Sequence, residues 1–198
     1  KDLAAKRAVI NVRNEENRCF GYAVLSAVFP AGKNACRPNK YIDYFNKVRF
    51  DGIEFPVKLS SIQKFEKLNR DFCSTCKHHN CTNETHERGL AIYVFEWNKN
   101  GPSPLRISDQ IGYKIRLMLL HSEDQWHYTY IKDFHRLLRH ISSYHGRLFW
   151  CDKCLYVTRY DDVMERHQED CLGIDKSPCR IIMPPKGDAV SFKNIRKQ

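Results

Sequence analysis

Nine cysteines and nine histidines in 198 residues define the chemistry open to this chain, and their spacing sorts them into three groups. The most regular is Cys151-x2-Cys154-x12-His167-x3-Cys171. A Cys-x2-Cys turn aims two sulfurs at one ion, and His-x3-Cys sets two further ligands on one helical face. This is the spacing of a zinc finger whose last ligand is Cys. Four protein ligands leave no open coordination position, so the zinc expected here is structural. Asp161 and Asp162 fall at the start of the expected finger helix, where negative charge is favourable, and Phe149, Val157 and Met164 can form its small core. A base-reading finger carries polar or basic side chains at that helix start. Here the stretch from Tyr160 to Glu165 would repel phosphate, so nucleic acid is a possible partner but not the favoured one.

The second group lies in the polar stretch 71–89. It contains Cys73-x2-Cys76, Cys81 and the histidines His78, His79 and His86. Cys73, Cys76, Cys81 and His86 could close a second zinc site; a flexible loop with free thiols is the competing reading. Six of the nine cysteines fall in these two clusters, a metal-site pattern of a reducing, intracellular compartment rather than a disulfide framework.

The third group is a pair. Cys19 follows an apolar run (residues 8–12) and an Asn-rich turn, and opens a helix-like apolar segment. A thiol at a helix N-terminus meets free N–H groups and the positive end of the helix dipole, both favouring the nucleophilic thiolate. About a hundred residues later, His127 opens another strand-like run and can act as the base. Asn14 or Asn17 could donate to an oxyanion. A third group should fix the imidazole tautomer. Asp133 and Asp124 are the candidates: Asp124 lies three residues before His127 across the turn, whereas six extended residues span about 20 Å, so Asp133 must reach back through a bend. Glu15 and Glu16 beside Cys19, and Glu123 and Asp124 beside His127, are placed to bind a basic substrate segment.

These residues need elements to hold them. The pattern predicts a strand over 8–12, helices over 18–29 and 38–48, and a helix after Ser60 or Ser61 bearing Ile62, Phe65 and Leu68. Strands are expected over 90–97, 113–120 and 126–132, followed by a closing helix over 133–142. Helices first and an antiparallel sheet after them make an α+β domain over 1–145, with 71–89 as an insertion. The finger then occupies 146–172, and 173–198 is a linker. The chain opens on Lys1 without a signal-peptide pattern, as a piece of a longer polypeptide would. No apolar run approaches the ~18 residues of a membrane span. The net charge of +10 suits acidic or polyanionic partners.

Cysteine first and histidine on a later strand is the order of papain-like cysteine proteases. Several segments resemble one family more closely. The stretches 10–20, 52–59 with 65–69, and 126–134 are similar to the N-terminal region of virus-like type B DNA polymerases carried by Polinton-like transposons. In that family a Cys-Cys-His-Cys finger follows, then a segment like 181–194. The resemblance covers most of the chain outside 71–89. It implies a papain-fold protease of the viral-tegument-like deubiquitinase group, cleaving after the C-terminal glycine of ubiquitin or a ubiquitin-like protein, with Cys19 as nucleophile and His127 as base, and it ranks Asp133 ahead of Asp124 as the acid. In the herpesviral members an aspartate stands two residues before the histidine; here that position is Gln125. No polymerase or exonuclease carboxylate motif lies in the chain. A non-enzymatic, nucleic-acid-binding adaptor of a polymerase is the alternative.

Overall fold

The computed structural model describes residues 7–14, 16–99, 101–122, 125–139, 144 and 146–171. The chain folds as a mixed α and β protein around one five-stranded mixed sheet, with four α-helices among the described residues. The strands are β1 (Val9–Ile10), β2 (Leu90–Asn98), β3 (Gly101–Arg106), β4 (Tyr113–Ser122) and β5 (Gln125–Ile131), in spatial order β1-β5-β4-β2-β3.

The expected antiparallel sheet is corrected at one pairing: β2 and β4 run parallel, in register Leu90↔Tyr113 through Glu96↔Leu119. The cause is a strand the pattern did not show. β3 turns back on β2 as a hairpin, with Asn98 opposite Gly101. Its Pro102 and Pro104 cannot donate to a second ladder, which confines β3 to the sheet edge. The chain must then return to the far side of β2, and β4 enters parallel to it. β4 and β5 pair antiparallel, Leu117↔Tyr130 through Ser122↔Gln125, and β1 adds only Val9↔Ile131 and Ile10↔Tyr130.

One face of the sheet buries α1 (Cys19–Val28), all ten residues of which are buried. An all-round apolar helix of this kind needs cover on every side. Phe20 meets Phe65 and Tyr128 edge-on at 5.1 and 5.3 Å, tying the helix to both α2 (Ile62–Leu68) and β5. Gly21 permits a close approach on its outer side, where a Cβ would fall 2.6 Å from the Phe45 ring. Residues 38–48 are not the expected helix. They form two 3-10 turns, Pro38–Lys40 and Ile42–Tyr44, with Tyr41 and Val48 as their buried anchors.

α2 is fixed to β2 by a buried ion pair. Glu66 accepts from the Ile92 N–H at 2.7 Å and from both terminal nitrogens of Arg106 at 3.2 and 2.6 Å. The opposite face of the sheet packs α3 (Phe134–Leu138) through Phe134, Leu137 and Leu138. The finger docks there too. It is a hairpin of β6 (Phe149–Trp150) and β7 (Val157–Thr158) followed by α4 (Asp161–Asp170). Trp150 stacks on Phe134 at 5.3 Å, and Arg116 grips Asp152 through two bonds of 2.7 and 2.8 Å. No helix among the described residues is long and apolar enough to cross a membrane. The expected linker 173–198 lies outside the described residues.

Candidate functional site: a Cys-His cleft and two Cys3His clusters

A cleft of about 790 Å³ opens between the turn before α1, residues 56–60 and the outer part of β5. Cys19 and His127 both line it. Cys19 is the first residue of α1. The helix has no side-chain cap, so its first-turn N–H groups keep no helical partner. Burial pushes the Cys19 thiol above its ordinary range, while the N–H groups of Tyr128, Phe20 and Cys19 itself pull the other way. The thiol is therefore protonated at rest. Burial also holds His127 below its ordinary range, so the imidazole is neutral at pH 7.

His127 is held by Asn11, which no spacing in the sequence singles out. Its Nε2 lies 2.7 Å from Asn11 Oδ1. An amide oxygen only accepts, so Nε2 carries the proton and Nδ1 is left as the basic nitrogen. Asn11 reaches this place through the sheet register: with Ile10 opposite Tyr130, the next residue stands one diagonal step from His127. Among the described residues Asp133 does not bond His127. Its carboxylate caps α3, accepting from the Arg136 N–H at 3.2 Å and pairing with Arg136 Nε at 3.0 Å. The alternative, Asp124, and the proposed substrate-binding residues Glu15 and Glu123 lie outside the described residues.

Among the described residues no hydrogen bond joins Cys19 to His127; the cleft is what they share. Asn14 and Asn17 also line it. Asn14 donates one amide N–H to Val12 O at 3.0 Å and keeps the second. Among the described residues that line the cleft Glu16 is the only acidic one, exposed and 3.2 Å from Arg18 Nε. Trp126, more than half exposed, flanks the opposite side.

Two clusters of metal-ligating side chains stand apart from the cleft: Cys151, Cys154, His167 and Cys171, and Cys73, Cys76, Cys81 and His86. In each, the four ligand atoms lie within 4.8 Å of one another. A tetrahedral ion with M–S near 2.3 Å and M–N near 2.05 Å sets edges of about 3.8 Å between sulfurs and about 3.6 Å between sulfur and nitrogen. The observed Cys151–Cys171 and Cys76–Cys81 separations are 3.7 and 3.6 Å. His86 Nδ1 lies 3.6, 3.3 and 3.6 Å from Cys73, Cys76 and Cys81. Cys154 and His167 Nε2 are 3.2 Å apart.

The two clusters share a backbone turn. In each, the residue after Cys-x2-Cys takes a left-handed φ, 64° at Lys77 and 61° at Leu155. Each donates its N–H to the carbonyl of the first cysteine at 2.8 Å. The stretch 71–89 is therefore a built site. Its Cys73 forms backbone bridges with His78 and Arg88. Such crowded thiols cannot all ionise together. Cys76 is pushed up to about 11 by hydrogen bonds from Cys81 and Cys73 and by burial. Cys73 is brought down to about 6, its burial outweighed by the Cys76 N–H and the neighbouring thiols.

No protein-family model matches the chain, and no curated protein and no solved structure resembles it significantly.

Proposed function

We propose that the chain is a cysteine-dependent hydrolase of papain-like type, with ubiquitin or a ubiquitin-like conjugate as its substrate. One observation carries this reading: Cys19, at the uncapped end of a buried helix, and His127, its imidazole fixed by Asn11, line the same cleft. In the proposed reaction His127 Nδ1 takes the thiol proton as Cys19 Sγ attacks the carbonyl carbon. Catalytic contacts of this kind tighten when substrate fills an apo cleft. The first-turn N–H groups of α1, with Asn14 or Asn17, meet the oxyanion. The tetrahedral species collapses to a thioester as the amine leaves with the proton held on His127. Water, deprotonated by the same imidazole, then releases the acid and restores the thiol.

Glu16 supports the substrate class. It offers a carboxylate at the rim to the arginines that precede the Gly-Gly end of ubiquitin. Both Cys3His clusters hold zinc in a structural role, because four protein ligands close the sphere.

The test is hydrolysis of a C-terminal fluorogenic ubiquitin, with Cys19→Ala as control. Cleavage by the wild type and none by the variant is expected. Cleavage that survives Cys19→Ala would refute the nucleophile. Cleavage of a generic peptide but no ubiquitin-like conjugate would leave the hydrolase and remove the substrate.

A further inference from the structure

In the chain that follows α1 the surface changes character. Residues 33–47 expose Lys33, Arg37, Lys40 and Lys47 against a single acid, Asp43. None of these four cations is drawn into an ion pair among the described residues. Ordinary charged surface interleaves both signs and pairs many of them; this stretch does neither.

The same segment carries a ring stack. Tyr44 lies flat on Phe29, with centroids 4.2 Å apart and planes within 1°. The inner side of the stack is closed by Lys77, whose ammonium sits 5.6 Å over the Phe29 ring and donates to Val28 O. Tyr44 remains 37% exposed, and Ile42 beside it is 56% exposed. Lys77 and Tyr44 both stand over the Phe29 ring, and Tyr44 keeps part of its surface in solvent. A planar group with its own π-face can extend that stack, and a polyanion suits the cations around it.

We propose that this face binds single-stranded nucleic acid, a base stacking on Tyr44 while Lys33, Arg37, Lys40 and Lys47 neutralise the backbone phosphates. Stacking platforms ringed by cations are the general means of holding single strands without reading sequence. An acidic protein segment would satisfy the cations but leave the platform unused, which is why nucleic acid is the better fit. This face does not depend on the hydrolase reading: none of its residues lines the cleft, and it requires no thiol chemistry. It also differs from the finger, whose helix α4 is acidic at its start.

The experiment is fluorescence anisotropy of a short labelled oligothymidine with the full chain, from low to moderate salt. Binding should weaken with a log–log slope of roughly −0.7 per neutralised phosphate, so about −2.8 for four contacts. Lys40→Glu combined with Lys47→Glu should cut affinity severely and flatten that slope. Tyr44→Ala should cost roughly tenfold or more with the slope unchanged, because stacking is not ionic, and Tyr44→Trp should retain binding. The variants' melting curves show that the fold is intact. Cys19→Ala should bind as the wild type does, which separates this outcome from the hydrolysis assay. The proposal is overturned if the oligonucleotide does not bind, if the charge reversals leave binding unchanged, or if polyglutamate of equal charge competes as well as the oligonucleotide does.

Discussion

At the scale of single residues, the account rests on two side chains with opposite shifts. The Cys19 thiol is raised and the His127 imidazole lowered, both chiefly by burial. The resting pair is thus thiol and neutral imidazole, not a preformed ion pair. The pH consequence has a definite sign. Under the proposed reaction, activity should fall as pH drops and protonates His127, with its midpoint below the ordinary 6.5. In His127→Ala that acid limb should vanish, and the rate should instead climb only as the thiol ionises, above the ordinary 9.0. The loss at neutral pH should be about 10²- to 10⁴-fold in kcat. Asn11→Ala should lower kcat with little change in KM and shift the acid limb, whereas Asp133→Asn should leave the pH profile in place. Kinetics across pH 5–10 on the four proteins would check this; an Asp133 variant that loses the acid limb would reverse the assignment. That Cys19 and His127 would line one cleft was legible, because thiol and imidazole in that order form a chemical signature. Asn11 was not. Its role comes from the two-residue pairing of β1 with β5, which no spacing in the sequence announces.

At the scale of elements, the apolar runs behind α1, α2, β2, β4 and β5 were readable, since their burial patterns are long and regular. β3 was not, because its two prolines argue against a strand until its place at the edge is known. The parallel β2–β4 pairing follows from that hidden strand. The stretch 71–89 read equally well as a loose polar loop. What decides it is the repeated left-handed turn and the convergence of His86 on three sulfurs, neither visible from spacing so irregular. Metal analysis should find two zinc ions per chain. Cys76→Ser should remove one, leaving the finger loaded; a wild-type content of one or none would exclude the second site. Glu66 gives a further test. It is 1% exposed and holds both Arg106 and the Ile92 N–H. Glu66→Ala strands a guanidinium and an amide, and should destabilise by about 3–5 kcal/mol in a denaturant melt. A change under about 1 kcal/mol would show that water replaces the carboxylate.

At the scale of the whole molecule, the sheet separates two faces with different tasks. One carries α1 and the cleft; the other carries α3 and the finger. The spacing of the 146–171 module foretold the convergence of Cys151, Cys154, His167 and Cys171 but not the module's mooring. That is tertiary: Arg116 lies 5.4 Å from the Trp150 ring and 5.9 Å from Phe134 while it clasps Asp152. Arg116→Ala should free the finger to limited proteolysis while its zinc remains bound. A protease-resistant variant would put the mooring on Trp150 alone. The central claim concerns the other face, and one measurement reaches it most directly. The full chain is incubated with ubiquitin bearing a C-terminal electrophile, and the intact mass and modified peptide are read by mass spectrometry. The account predicts one adduct per chain, on Cys19, lost in Cys19→Ala and slowed in His127→Ala. No adduct, or one on the exposed Cys36, would contradict it.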